Sequence, residues 1–366
     1  MTNFSRARHT FHPAWGIAVF LLLAVVGLFY VKWSPYYDRA FVAAQMHSIG
    51  QSMLTAGADT VPAPSLRAAL DYAWAYGRSI WQALLLGLLL GSAMQALLPA
   101  HLVRKWLGAA SNRSVLAATL LSVPSMMCTC CSAPVVTGLR RCKAASGSTV
   151  AYWLGNTMLN PATLVFMGFV LGWKWVGLRL VLGLVLVLGL GWLLNRMNRV
   201  SGPASTGMPH SSDSAAQMAQ QPDDAEPRLD LAQALQCWAR AFVGMALRLL
   251  PEYLVLVLLL GATRAWLFPA LGVGVDDSLL WIVGAAVAGM LFVIPTAGEV
   301  PIVQAMLSLG MASGPAAALL LTLPPVSLPS LAMVAKSFQA RELFVVIAGV
   351  VMMGVLAGGA AIALGY

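Results

Sequence analysis

A cluster of sulfur-bearing side chains lies between Pro124 and Pro134, in a stretch that is otherwise apolar. Its members, in chain order, are Met126, Met127, Cys128, Cys130 and Cys131. Prolines at both ends oppose a continuous helix, so the segment is predicted to be broken backbone at membrane depth. Lipid offers no hydrogen bonds, and such backbone is tolerated only where protein buries it or it lines a polar cavity. A break that carries soft ligands is the kind of substrate site that transporters build.

Thiolates bind soft ions such as Cu(I), Zn(II), Hg(II) and, by the same softness, trivalent arsenic, and methionine adds thioether donors. The candidate ligands are Cys128, Cys130 and Cys131, joined by Met127 if the substrate is a soft metal ion. The competing interpretation is that cysteine serves as a small buried hydrophobe. We favour that interpretation for the isolated Cys142 and Cys237, and a binding role for the cluster.

Polar residues at three other positions are candidates for the same site. Glu299 lies between Pro295 and Pro301, and an acid within a membrane span usually marks an ion or proton path. A hydrated hairpin tip is the alternative for this residue. Asn156 and Asn160 stand at a further break, where they can contact substrate or, equally well, cap the broken helix ends.

The composition predicts a polytopic membrane protein. The 366 residues are 59% hydrophobic and 10% charged, whereas a soluble domain carries about 25% charged residues. Six apolar segments approach the roughly 17–25 residues that a spanning helix needs. They are residues 14–31, 80–98, 176–194, 253–268, 279–294 and 343–364. The net charge of +9 lies mostly in short loops and at segment ends, which indicates membrane topology and excludes a nucleic-acid partner.

The N-terminal segment, residues 1–67, is predicted to hold an uncleaved signal-anchor helix followed by an external stretch. Arg6 and Arg8 precede the first apolar run, and Lys32 and Trp33 follow it where a cleavage site would need small residues. The cysteine count is odd, with three clustered thiols, which does not fit a secreted disulfide framework. The expected location is the cell inner membrane.

The rest of the chain repeats itself. Residues 88–99 match 258–269, and residues 134–147 match 301–314. Each half then reaches a second break, at 156–161 or at 324–329. Landmarks in the same order predict a duplication, with one membrane repeat at 68–194 and the other at 230–366. The polar joining segment, 195–229, is predicted to be a disordered cytoplasmic linker.

Charge predicts that the two repeats are inverted. The loop at 99–113 is basic, whereas its equivalent at 270–278 holds Asp276 and Asp277 and no base. Under the positive-inside rule, equivalent loops then lie on opposite sides of the membrane. That arrangement is an inverted-topology repeat, as found in many transporters.

The predicted fold is an all-α polytopic membrane protein. It has two inverted-topology repeats with broken helices, two re-entrant hairpins and about seven spanning helices besides the hairpins. The hairpins are expected at 114–139, with the cysteines at its tip, and at 279–309, with its tip at 295–301.

Residues 124–161 resemble a known family. The carrying motifs are Cys128 to Pro134, the Gly-Leu-Arg-Arg run at 138–141, and Asn156 with Asn160. They are similar to the predicted permease family that includes the organoarsenical efflux permeases and relatives proposed to export copper or zinc. The chain has Cys-Thr-Cys where Cys-Ser-Cys is usual, and Cys131 in place of a glycine. The resemblance implies a permease that exports a toxic thiophilic species and confers metal or arsenical resistance.

The leading functional hypothesis is a secondary transporter, neither an enzyme nor dependent on a cofactor. Its partners would be a small thiophilic solute, the lipid bilayer and protons as the candidate coupling ion. Cys128, Cys130 and Cys131 would supply sulfur, and Glu299 would carry protons. A membrane thiol-redox or sulfur-transfer protein using the same three cysteines is the alternative, and a channel is a third hypothesis.

Overall fold

The structure is a computed structural model, and it describes residues 13–49, 65–200, 231–267 and 275–366. These residues form helices and connecting turns, with no strand among them. Five helices are long and apolar enough to cross a membrane: Trp15–Met46, Leu66–Leu97, Trp173–Arg199, Leu235–Ala262 and Ala340–Leu364. The chain is therefore an all-helical, multi-pass membrane protein, as its composition predicts.

The N-terminal helix is longer than the sequence indicates. Helix α1 (Pro13–Leu28) continues through a π-helical turn (Phe29–Trp33) into α2 (Ser34–Met46). Residues 32–46, expected to be external, are thus part of one helical rod, in which Pro35 lies shortly after the π-helical turn. The remaining expected external residues, 50–64, lie outside the described ranges.

The first half begins with α3 (Leu66–Leu97), which Ser65 caps by accepting a 3.1 Å bond from the Ala68 amide. The short helix α4 (Ala100–Val103) and a π-helical turn (Arg104–Gly108) follow. Helices α5 (Asn112–Ser122) and α6 (Thr129–Arg141) follow and are separated by the break that ends at Cys128. The broken pair α7 (Ser146–Met158) and α8 (Pro161–Val170) precedes the long helix α9 (Trp173–Val200).

The second half repeats this order of elements. Helix α10 (Leu231–Leu267) is followed by the hairpin α11 (Leu279–Leu291) and α12 (Glu299–Ser308). The broken pair α13 (Ser313–Thr322) and α14 (Leu328–Ala335) then leads to α15 (Ala340–Leu364). At the second break of each half a polar residue caps the new helix: Asn160 for α8 and Ser327 for α14.

Matching helices of the two halves pack against each other in opposite directions. In the α3–α10 pair, Tyr76 stacks near Tyr253 with ring centroids 6.2 Å apart, and Trp238 donates a 3.0 Å bond to Ser92. In the α9–α15 pair, contacts join opposite ends in sequence. Tyr366 donates to the Lys174 carbonyl at 2.9 Å, and Asn198 donates to Glu342 at 2.8 Å.

Helix α9 extends to Val200, six residues beyond the predicted end of the first repeat. Asn195 accounts for the extension, because its buried amide accepts a 3.1 Å bond from the Gly147 N–H at the start of α7. The first residues assigned to the polar linker are therefore helical. Residues 201–229 of that predicted linker lie outside the described ranges.

Close contact between α3 and α6, the helix that carries Cys130 and Cys131, depends on glycine. A Cβ on Gly87 would lie 2.0 Å from the Cys131 carbonyl oxygen, and one on Gly91 would lie 2.5 Å from that of Pro134. Both obstacles are backbone atoms, which cannot rotate aside. The cysteine-bearing helix therefore lies directly against the α3 backbone.

We predict that Gly87→Ala sharply lowers the yield of folded protein, because α3 and α6 would have to separate. Gly77→Ala is the matched control on the same helix, since nothing lies within 4 Å of its added Cβ. That variant should be neutral or more stable, because alanine favours helix over glycine by about 1 kcal/mol. Detergent-solubilised yield and thermal unfolding measure both effects. Equal behaviour of the two variants would contradict the close packing.

Candidate functional site

The cysteine-bearing turn is a short break between two helices. A single 3₁₀ turn (Val123–Ser125) ends α5, and Met126 then adopts a left-handed conformation with φ 47°. Cys128 is extended and forms the N-cap of α6. Pro124 lies in the turn that ends α5, as the sequence predicts. The expectation that Pro134 also interrupts the helix is wrong, because this proline lies inside α6, which continues to Arg141.

The structure separates the three thiols into a pair and a single group. Cys128 and Cys131, one helical turn apart, have their sulfur atoms 2.8 Å apart. The Cys130 sulfur instead lies 3.7 Å from the Ser327 hydroxyl of the second half. All three are free and buried. Within the described ranges, no three Cys, His, Asp or Glu side chains are grouped to hold a metal ion. The predicted three-sulfur cluster is thus a dithiol plus a separate thiol.

Met127 and Asn156 hold the turn together. The Asn156 side-chain oxygen accepts a hydrogen bond from the Ser125 hydroxyl and a 3.4 Å bond from the Met127 N–H. Its amide nitrogen donates to the Tyr152 carbonyl at 2.8 Å. The Met127 side chain is fully buried. Asn156 therefore supplies hydrogen bonds to backbone that lipid could not satisfy.

Asn160 caps α8 and retains a free donor. Its side-chain oxygen accepts bonds from Ala162 and Thr163 at 3.1 and 3.3 Å. Its amide nitrogen is buried and has no hydrogen-bond partner. Helix capping explains the side-chain oxygen of Asn160. The amide nitrogen remains available to donate a hydrogen bond.

Glu299 is neither solvated nor isolated. It begins α12, is only 2% exposed, and its carboxylate lies 2.7 Å from the guanidinium of Arg179 on α9. The same guanidinium, which is fully buried, donates to the Thr157 carbonyl at 2.7 Å. The alternative of a hydrated hairpin tip is therefore wrong. Sequence reasoning missed Arg179, although an arginine within the apolar segment 176–194 was the signal that could have found it.

Lys32 is a second functional candidate that sequence reasoning missed. It lies in the π-helical turn of the N-terminal helix and is 3% exposed. Its ammonium donates a 3.0 Å bond to the hydroxyl of Thr296, in the break between α11 and α12. The ammonium also lies 5.3 Å from the centroid of the Tyr36 ring. From the sequence, Lys32 served only as evidence against a signal-peptide cleavage site; the signal that could have found it is a lysine directly after an apolar run.

Two cavities meet at Cys128. The larger, of about 360 Å³, runs from Arg39 and Arg78 to Lys32 and Cys128. The smaller, of about 10 Å³, holds about one water molecule and is lined by Asn160, Glu299 and their neighbours. Cys128, Pro295 and Thr296 line both cavities. Among the described lining residues, Cys128 is the one cysteine, and it lines both cavities.

The arrangement can bind a soft centre with two sulfurs. Cys128 lines both cavities. The Cys131 sulfur is close enough to the Cys128 sulfur for both to coordinate one soft atom. Asn160 and Glu299 line the smaller cavity together with Cys128, where the break at 292–298 approaches the cysteine-bearing break. Cys130 is not part of this pair.

The chain matches proteins of one family over nearly its whole length. The model of the ArsP_1 family, described as a predicted permease, matches residues 63–362. The UPF0718 protein YraQ of Escherichia coli (strain K12) is 46% identical over 352 residues, which cover 95% of each chain. No solved structure matches. The resemblance stated from the cysteine motif is confirmed: the chain belongs to the ArsP_1 family of predicted permeases.

Proposed function

We propose that the protein is a secondary-transporter-type permease of the inner (cytoplasmic) membrane that exports a small thiophilic solute. The observation that carries this proposal is the Cys128–Cys131 pair, with sulfurs 2.8 Å apart, at the meeting point of two cavities in a broken helix. Membership of a permease family supports a transporter over an enzyme. The resemblance of the cysteine motif to organoarsenical efflux permeases supports export.

The thiol pair favours solutes that two sulfurs can satisfy. A trivalent arsenical with one organic substituent has two exchangeable positions, and Cu(I) and Hg(II) accept two thiolates readily. A structural zinc ion instead takes four ligands, which the described residues do not offer here. The proposed substrate is therefore a trivalent organoarsenical or a soft metal species of low coordination number.

The packing of matching helices supports the inverted repeat. An inverted-topology duplication requires each element to run opposite to its counterpart in the membrane. Helices α3 and α10 run antiparallel, and so do α9 and α15. The two breaks approach each other at Thr296 and Cys128. Movement of one repeat against the other would then open the dithiol to each side in turn.

Glu299 remains the proposed proton carrier, with Arg179 as its partner. Protonating Glu299 where it stands would leave the buried Arg179 charge uncompensated, which is strongly unfavourable. The carboxyl can therefore take up a proton only if a conformational change separates it from the guanidinium. This requirement would tie proton movement to the opening of the contact between α9 and the second hairpin.

One observation favours the thiol-redox alternative. Cys128 and Cys131 have the C-x-x-C spacing, and Cys128 caps a helix N-terminus, an environment that favours the thiolate. Both thiols are buried, however, and a redox partner would have to reach them. Burial of the two thiols therefore supports substrate binding during transport over thiol-redox chemistry.

We predict that Cys128→Ser and Cys131→Ser each weaken transport on the order of tenfold or more, because serine is a poor soft ligand. Uptake of methylarsenite and of soft metal ions into everted membrane vesicles measures the effect, with protein amount determined in the same membranes. Cys130→Ser should also weaken transport, through its contact with Ser327.

The controls are Cys142→Ser and Cys237→Ser, which lie outside the pair and should transport normally. Full transport by the Cys128→Ser, Cys131→Ser double variant would exclude the pair as ligands. Loss of a dithiol–disulfide exchange activity in that variant, with transport unaffected, would favour the redox alternative.

We predict that Glu299→Gln stops pH-driven transport and, by leaving Arg179 buried and unpaired, costs roughly 3–5 kcal/mol of folding stability. The double variant Arg179→Met, Glu299→Gln carries no buried charge at this point and should recover most of that stability. It should still bind substrate at the thiols but not couple to protons. Uphill transport by a stable Glu299→Gln protein would remove Glu299 as the carrier.

We predict that Lys105 and Asp276, both exposed and in equivalent loops, lie on opposite sides of the membrane. Single-cysteine variants at these positions, in a background without other cysteines, can be labelled with an impermeant thiol reagent on intact and everted vesicles. Labelling of both positions from the same side would show that the repeats are parallel.

A further inference from the structure

The larger cavity beside Cys128 is strongly basic. The described residues that line it include three cations and several neutral polar groups, but no aspartate or glutamate. The cations are Lys32, Arg39 and Arg78, and the neutral polar side chains are Tyr36, Ser79, Gln82 and Thr296. Polar and charged side chains at membrane depth usually mark the path of a solute.

The charge of Lys32 is not matched by a carboxylate in the described ranges. Its ammonium donates to the neutral Thr296 hydroxyl and faces the Tyr36 ring. The ion pairs among described residues involve other cations, namely Arg67, Arg179 and Lys336. A buried charge normally has a partner of opposite sign, so an anion in this cavity, of about 360 Å³, would compensate the charge of Lys32.

The cations are distributed along the approach to the thiol. Arg39 and Arg78 are exposed, whereas Lys32 is almost fully buried with Cys128. Cations along a low-dielectric cleft concentrate anions and repel cations. A free soft-metal cation approaching Cys128 through this cavity would meet three like charges before it met sulfur.

We propose that this cavity selects an anionic thiophilic solute, a molecule that carries a carboxylate or oxyanion together with a thiol-reactive centre. Lys32 holds the anionic group, and Cys128 binds the reactive centre. Free metal cations are disfavoured on the approach through this cavity. This inference rests on the proposed function in so far as Cys128 is the substrate ligand, and it narrows the substrate class of that site.

The test compares two reagents that differ in charge. Methanethiosulfonates bearing an ethylsulfonate or an ethyltrimethylammonium group carry the same reactive centre. A full-length variant that keeps Cys128 alone, with the other four cysteines replaced by serine, is reconstituted into phosphatidylcholine vesicles. Modification rates are divided by those of a small free thiol. The ratio of the two rates cancels the thiolate fraction of Cys128, because both reagents consume the same thiolate.

We expect the sulfonate reagent to react on the order of tenfold faster than the cationic one after this correction. Lys32→Met should lower the ratio on the order of tenfold, and Lys32→Arg should preserve it. Arg78→Gln, at an exposed position, should lower the ratio in part if Lys32→Met fails to fold. Lys336→Gln is the control, since that exposed lysine pairs with Glu252 far from the cavity lining.

Three results would overturn the proposal: equal rates, a faster cationic reagent, or no reaction of Cys128 with either. A lipid phosphate is the other source of an anion, and vesicles containing phosphatidylglycerol test for it. If that lipid abolished the preference, the cavity would be a headgroup site instead. All of these outcomes are rates of thiol modification and require no transport measurement. Failure of this proposal can therefore be distinguished from failure of the proposed function, which would appear as normal transport by the cysteine variants.

Discussion

Backbone that is broken within a membrane must find hydrogen-bond partners in protein, and this requirement organises the whole molecule. Tyr72 and Tyr76 on α3 donate to the free carbonyls of Val293 and Ile294 at 2.5 and 3.4 Å. Trp33 of the N-terminal helix donates to the Pro124 carbonyl at 2.8 Å. Each break is thus stabilised by elements distant in sequence.

The N-terminal helix is consequently packed into the rest of the protein through contacts to both of these breaks. Trp33 donates to the break that precedes Cys128, and Lys32 donates to the break that precedes Glu299. Tyr36 stacks on Phe166 of α8 with ring centroids 5.7 Å apart. The family match begins at residue 63, so this helix lies before the matched region. The helix contacts both halves where the two cavities meet. It also provides Lys32, the buried cation that lines the larger cavity.

Local chemistry in the sequence was sufficient to predict the helical class and the breaks before Cys128 and before Glu299. Pro124, Pro295 and the apolar runs act over a few residues, and their effects can be inferred without the fold. The pairing of Arg179 with Glu299 joins residues 120 positions apart, and that of Lys32 with Thr296 joins residues 264 apart. Such contacts depend on how helices pack, which the pattern of a single helix does not specify. The same limit explains why three adjacent cysteines looked like one cluster: only the helix geometry shows that Cys130 points to the second half.

The contacts between the halves near the site differ in kind from those within each half. Within a half, helices pack closely through small residues, as Gly147 and Gly191 do in the first and Gly314 and Gly358 in the second. Across the site, the contacts are polar: Arg179 with Glu299, Cys130 with Ser327, and Arg140 with the Ser337 carbonyl at 3.0 Å. Polar contacts can exchange partners for water, substrate or a proton, whereas close backbone packing resists change because it has no alternative partner of equal quality. These polar contacts at the boundary between the halves are therefore the ones that a conformational change would exchange, and the thiol pair lies beside them.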